Sequence, residues 1–214
     1  MRLALFDIDG TLIRCDSEFR WCEFLTRNGL FDMSDIDRYC ADYEAGQLDF
    51  EEFARFQLAP LAALDQDLLF DQRERFLRED IAPEICELLQ QRIQVHRQRG
   101  DQVVSISAAH SFLADPIARM TGIEQNLCTI AAHDGQRFTG EVQGEPCFQE
   151  GKLVHIDNWL ESQGMSWDQL EASWFYSDSH NDLPLLRRAE TAIAVRPDKV
   201  LTRIAAELGW ELIE

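Results

Sequence analysis

The chain opens on an uninterrupted apolar run, Leu3-Ala4-Leu5-Phe6, which stops at Asp7-Ile8-Asp9-Gly10-Thr11-Leu12. A short continuous apolar run cut off by a turn signal predicts a buried β-strand over Arg2–Phe6. The periodicity then changes. From about Asp16 to Arg78 the pattern is helical. Asp16-Ser17 caps a first helix whose apolar positions are Phe19, Trp21, Cys22, Phe24 and Leu25. Ser34 or Asp35 opens a second helix that ends near Gly46. Asp49 opens a third through Leu58, with Pro60 marking its end, and Leu64–Leu77 makes a fourth.

Strands and helices alternate after that. A helix is expected from about Pro83 to Arg99, closed by Gly100, then a strand at Gln102–Ser107 and a helix at Phe112–Met120. Leu127–Ala131 reads as a strand, Asp134–Gly144 as a hairpin, and Gly151–Gln163 as a helix. Ser173–Ser177 and Thr191–Val195 read as strands around a short helix at Asp182–Arg188, and a helix at Lys199–Leu208 follows. Such alternation implies an α/β fold with a mostly parallel sheet covered by helices. The expected division is a core of residues 1–14 and 80–214 and a helical insertion of residues 15–79.

Composition narrows the class of function. Thirty-nine acidic against 20 basic residues among 214 give a net charge of −19. That argues against binding nucleic acid or an anionic membrane through a general basic surface. Met1-Arg2 leads straight into the first strand, so no signal peptide is expected. No apolar stretch approaches the roughly 20 residues needed to span a bilayer. The six cysteines are scattered, with no CxxC and no Cys/His cluster. Reduced thiols in a cytoplasmic protein fit that spacing better than a zinc site does. Nothing in the sequence sets an oligomeric state.

Four pieces fall at strand ends or helix starts, where open α/β sheets bind their ligands. Asp7 and Asp9 point to the same side of the first strand's end. Two such carboxylates repel unless a cation or a proton lies between them, and Mg²⁺ suits an all-oxygen site. Ser107 follows the second strand, Lys152 sits in Glu150-Gly151-Lys152 at a helix start, and Ser177-Asp178-Ser179-His180-Asn181-Asp182 follows another apolar strand. Each alone has a plainer reading as a turn, a cap or a solvated lysine.

In this order, DxDGT, Ser, Lys and DSxND resemble the haloacid dehalogenase-like (HAD) hydrolase superfamily, in the branch that includes phosphoserine phosphatase. The resemblance covers nearly the whole chain. It implies a Rossmann-like core with a small helical cap inserted after the first strand. It also implies Mg²⁺ held by the Asp7 carboxylate, the Asp9 main-chain carbonyl and Asp178, with Asn181 and Asp182 completing the metal loop. Gly10, Thr11 and Ala108 would support the phosphate, and Ser107 and Lys152 would neutralise it. Asp7 would attack phosphorus to form an aspartyl-phosphate, and Asp9 would act as acid and then base. Dehalogenases lack the second aspartate, so Asp9 favours phosphoryl chemistry on a small phosphorylated metabolite.

The insertion carries the substrate clues. In phosphoserine phosphatases a carboxylate after DxDGT binds the substrate amine and a later arginine clamps its carboxylate. Asp16 falls at the first position and Gln57 at the second, which favours an amine without a carboxylate, such as histidinol phosphate. Asp16 also reads as a helix cap. Glu18 would add a hydrogen bond. Trp21 reads as a platform for an imidazole or as core, and His110 as facing the substrate or as a solvated helix start. A phosphotransferase, a lipid phosphatase and a non-catalytic phospho-ligand binding protein are the competing readings.

Overall fold

A computed structural model describes residues 1–44, 47 and 50–214, without the side chains at 37, 40, 43, 44, 50 and 51. Its centre is a seven-stranded sheet in the order β4-β3-β2-β1-β5-β6-β7. The strands are β1 (Arg2–Phe6), β2 (Gln102–His110), β3 (Asn126–His133), β4 (Phe138–Gln143), β5 (Ala172–Ser177), β6 (Thr191–Val195) and β7 (Glu211–Ile213). Within this sheet β3 and β4 pair antiparallel, and the other five strand pairings are parallel.

The continuous apolar runs are explained by burial on both faces of the sheet. Leu3 and Leu5 of β1, Val104 and Ile106 of β2 and Phe175 of β5 face one apolar cluster. Ala4, Phe6, Val103 and Tyr176 face the other. The first cluster is closed by α7 (Glu150–Ser162), α8 (Leu183–Arg188) and α9 (Lys199–Leu208). The second is closed by α1 (Ser17–Arg27), α3 (Phe50–Ala63), α4 (Gln66–Phe76), α5 (Glu87–Gln98) and α6 (Ser111–Met120), while α2 spans Ile36–Glu44.

The four helices α1–α4 lie between β1 and β2, where the helical pattern falls in the sequence. Asp16 caps α1 by accepting the Phe19 amide at 2.8 Å. The expected end of the second helix near Gly46 and start of the third at Asp49 lie outside the described residues. Pro60 does not end α3; the helix runs three residues further and Leu64 N–H still bonds to the Pro60 carbonyl at 3.1 Å. A proline this near the end of a helix costs one amide bond in a turn that is closing anyway. Helix α4 starts at Gln66, after Asp65 caps it through the Asp67 and Leu68 amides, rather than at Leu64.

Three further departures bear on the site. The helix expected from Pro83 begins only at Glu87, because Ile85 is extended and bridges antiparallel to Ile13. Strand β2 runs to His110, past the expected end at Ser107, with a register shift between these two residues. The hairpin expected within Asp134–Gly144 is instead β4 folding back on the longer β3, and β7 is an edge strand that the sequence pattern did not indicate. No helix among the described residues is long and apolar enough to cross a membrane.

Candidate active site

β1 reaches outward to β2 on one side and β5 on the other, so the chain changes direction at the centre of the sheet. Ligands bind at such a switch point, beyond the carboxyl ends of the strands. Asp7 leaves β1 here, its amide held by the Tyr176 carbonyl of β5 at 2.9 Å. The chain turns sharply after it: Asp9 is extended and Gly10 has φ +68°. Gly10 is needed twice over. Its φ favours glycine, and a Cβ there would lie 2.1 Å from Oδ2 of Asp178. The absent side chain is the space that the Asp178 carboxylate occupies. Thr11, fully buried, donates its hydroxyl to Oδ1 of Asp178 at 3.3 Å.

Lys152 comes from the first turn of α7. Gly151 lets that turn pack tightly, since a Cβ there would fall 2.0 Å from the Pro146 carbonyl oxygen. The Lys152 ammonium, 2% exposed, lies 2.8 Å from Asp7 and 2.7 Å from Asp182. Ser177 donates its hydroxyl to Asp182 at 2.7 Å. Burial alone would lower the lysine pKa, but Asp182 and Asp7 carry it upward, so the ammonium stays charged.

The carboxylates crowd one another. Burial raises Asp7 to about 6 against the opposing pull of Lys152. Burial, then Asp7 and Asp182, push Asp178 up to about 8. Asp9 is raised well above its ordinary value by burial and by Asp16 and Asp7, and its Oδ1 accepts the Ser17 amide at 2.8 Å. This excess of negative charge calls for a cation. No set of three His, Cys, Asp or Glu side chains forms a ready metal cage among the described residues. Asp182 is already committed to Lys152 and Ser177. Asp7, which accepts from Lys152 through Oδ1, and Asp178 are the two carboxylates that could hold a metal, a set that suits Mg²⁺, which keeps several waters and takes one or two carboxylates. Asn181 accepts Gln149 Nε2 at 3.0 Å on the rim of this group.

Asp7, Asp9, Lys152, Asp178, Asn181 and Asp182 line a cavity of about 640 Å³. Ser107 and Ala108, at the irregular end of β2, lie on its wall, and the Ser107 hydroxyl accepts the Ala109 amide at 3.1 Å. Asp16, Glu18 and Gln57 also line it. Glu18 accepts the His110 amide at 3.0 Å, and burial with the nearby Asp16 raises its pKa to about 8. Gln57 is 7% exposed.

Two expected substrate contacts lie elsewhere. Trp21 is fully buried among Phe24, Phe76 and Phe112, with ring centroids 5.2–5.9 Å away, and does not line the cavity. The helical spacing that marked it as apolar is met by packing. His110 is neither solvated nor facing the cavity: β2 carries on to it and buries it behind Glu18, 3.5 Å from that carboxylate. Burial lowers its pKa to about 4. His180 leans on Asp198 at 2.8 Å. The sequence reading missed Phe19, Tyr39, Phe53 and Phe148, which give the cavity aromatic walls, and Arg14, which lines it as well. Their apolar spacing is indistinguishable from core.

The model for haloacid dehalogenase-like hydrolases matches residues 4–187. A histidinol-phosphatase of Neisseria meningitidis is 35% identical over 216 residues, covering 99% of this chain and 97% of that protein. A phosphoserine phosphatase of Mycobacterium tuberculosis is 31% identical over 98% of this chain and 69% of its own length. Among solved structures, a protein of unknown function from Bordetella pertussis superposes with TM-score 0.94 at 36% identity, covering 100% of this chain and 98% of that one. A phospho-aspartyl intermediate analogue of phosphoserine phosphatase superposes with TM-score 0.71 at 19% identity, over 100% and 93%. With its motifs gathered at one end of such a sheet, the chain belongs to the haloacid dehalogenase-like hydrolases and is a phosphatase of that family.

Proposed function

We propose that the protein is a Mg²⁺-dependent phosphomonoesterase for a small metabolite that carries an amine or imidazole but no carboxylate, with histidinol phosphate the best-fitting substrate. The single observation that carries this is the polar wall of the cavity: Asp16 and Glu18 line it with Gln57, which stands where the resemblance to phosphoserine phosphatases puts a carboxylate-clamping arginine, and Arg14, next to the Asp9 turn, is the one arginine of the lining among the described residues. Acidic and aromatic walls favour a cationic group. Beside Gln57 a substrate carboxylate would meet the acidic side chains of Asp16 and Glu18 and a neutral amide in place of a guanidinium. The similarity to a histidinol-phosphatase along the whole chain supports the same reading.

In the proposed mechanism, Asp7 attacks phosphorus in line and the ester oxygen leaves. Asp9, anchored on the amide of Ser17 at the start of α1, gives that oxygen its proton. It then takes a proton from the water that hydrolyses the aspartyl-phosphate. Lys152 holds Asp7 in place and offsets phosphate charge, and Ser107 donates to a phosphate oxygen. Asp7, the Asp9 carbonyl and Asp178 would hold Mg²⁺, with Asn181 and Asp182 supporting the loop. When bound, Mg²⁺ would neutralise phosphate charge. Residues 15–79 act as a cap that supplies specificity. The free thiols of Cys15, Cys22, Cys86, Cys128 and Cys147 support a reducing, cytoplasmic setting.

The test is phosphate release with Mg²⁺ from histidinol phosphate, phosphoserine, a sugar phosphate and an aryl phosphate, with Asp7→Asn as control. Selective, Asp7-dependent release from histidinol phosphate is expected, with loss on chelation and return on adding Mg²⁺. Equal turnover of phosphoserine would overturn the substrate class. Full activity in Asp7→Asn would overturn the nucleophile.

A further inference from the structure

Arg196, directly after β6, is one of two non-glycine residues with positive φ among those described, at +43°. Its amide is tied to the Ile213 carbonyl of β7 at 2.6 Å. An L-residue persists in such a conformation only where its surroundings over-determine it, and such residues gather at functional sites. What the conformation achieves is visible at the other end of the side chain. Nη2 donates to the carbonyls of both Gly10 and Thr11 at 2.7 Å, and Nη1 lies 3.4 Å from Sγ of Cys86. In a chain rich in acids, this half-buried guanidinium is committed to main-chain oxygens.

Two residues on, Asp198 performs the matching task. Its amide donates to the Asp178 carbonyl at 2.9 Å, and its Oδ2 accepts the His180 amide at 2.7 Å. Pro197 between them restricts the backbone. One three-residue segment therefore holds both loops of the site, the one carrying Asp7 and the one carrying Asp178. The Gly10–Thr11 turn contains the residue with the fewest conformational restraints. Two successive carbonyls directed at one point repel, and a planar guanidinium with several donors removes that repulsion. Because the peptide is planar and trans, fixing the Gly10 carbonyl on Arg196 also aims the Thr11 N–H away from it.

We propose that Arg196 is a positioning residue for phosphoryl transfer. It sets the Asp7 loop against the Asp178 loop through the Gly10 and Thr11 carbonyls and does not itself line the cavity. The inference rests on the reading of Asp7 as nucleophile and Asp178 as metal-side carboxylate.

Arg196→Gly tests it, because glycine accepts the positive φ and the substitution removes the guanidinium while relieving the backbone. With an aryl phosphate and saturating Mg²⁺, kcat should fall by roughly 10- to 100-fold, as for a small misplacement of reacting groups. KM should stay within about two-fold, marking a loss confined to the chemical step. The thermal midpoint should stay within a few degrees, millimolar methylguanidine should restore part of kcat, and Arg196→Lys should be intermediate. Wild-type kcat in Arg196→Gly, beside an inactive Asp7→Asn, would overturn the positioning role and leave the nucleophile standing. A loss that merely tracks loss of folded protein, without response to methylguanidine, would also overturn it. Activity in Asp7→Asn would instead overturn the reading on which the inference rests.

Discussion

The Cα of Gly10 and the carboxylate of Asp178 are in such close contact that a methyl group on the former would sit 2.1 Å from Oδ2 of the latter. Gly10→Ala must displace Asp178 or unwind the turn, and its φ of +68° adds strain. Turnover should fall by on the order of 100-fold, since displacing a catalytic group by about 1 Å has that effect. The thermal midpoint should fall as well. An aryl phosphate assay with a melting curve checks both, and an alanine variant with wild-type turnover would show that the close contact is not required.

Lys152 is the cation between two buried carboxylates. Lys152→Ala should abolish turnover and destabilise the fold by about 3–5 kcal/mol, the usual consequence of leaving buried charge unpaired. The loss should depend on pH. Without the ammonium, burial acts on Asp7 unopposed, and its carboxyl binds a proton more tightly in the folded state than in the unfolded one. The variant should therefore regain stability as pH falls and lose it as pH rises. Urea midpoints at pH 5 and pH 8 measure this, and a pH-independent difference from wild type would contradict it.

Glu18 and His110 set opposing limits on stability. Glu18 has its pKa raised from 4.5 to about 8, so the folded state keeps a proton that the unfolded state releases. Its contribution is complete below pH 4.5 and is lost as pH rises through 8. His110, lowered from 6.5 to about 4, behaves the other way: its contribution is complete above 6.5 and is lost as pH falls through 4. Glu18→Gln should gain on wild type between pH 5 and 8, by up to a few kcal/mol at about 1.4 kcal/mol per unit of pKa. Parallel melting curves would reject this if the two proteins kept a constant difference across that range.

Gln57 is buried at the cavity wall. Gln57→Arg should raise kcat/KM for phosphoserine relative to histidinol phosphate. A new charge-assisted pair of about 1.5–3 kcal/mol corresponds to roughly 10- to 100-fold. Competition between the two substrates gives the ratio directly, and an unchanged ratio would remove Gln57 from the specificity-determining residues.

Much of this arrangement is legible in the sequence because its parts are local. The run Leu3–Phe6 is buried on both faces and Asp16 caps α1, as their neighbours in the chain suggest. What escaped depends on distant partners. Ile85 is drawn out of a helix by Ile13, 72 positions earlier. Strand β2 continues through Ser107-Ala108-Ala109-His110, small and polar residues that resemble a turn, because β3 pairs with Ser107 and His110 on either side of a register shift. Trp21 and Tyr39 are both apolar helix positions, yet one is buried among phenylalanines and the other lines the cavity. Only the packing of α1 against α4 and α6 separates the two. The anchoring of Gly10 by Arg196 joins residues 186 positions apart and leaves no local trace.

The bridge between Ile13 and Ile85 places the entrance and exit of the helical segment side by side. To the sheet, everything between them is one loop whose ends already touch. Closing such a loop depends only weakly on its length. Strand order is therefore indifferent to what the loop contains, provided that its apolar face matches the pocket filled by Trp21 and Phe76. The segment proposed to select the leaving group can then change in length and content without moving the strand ends that carry Asp7 and Asp178.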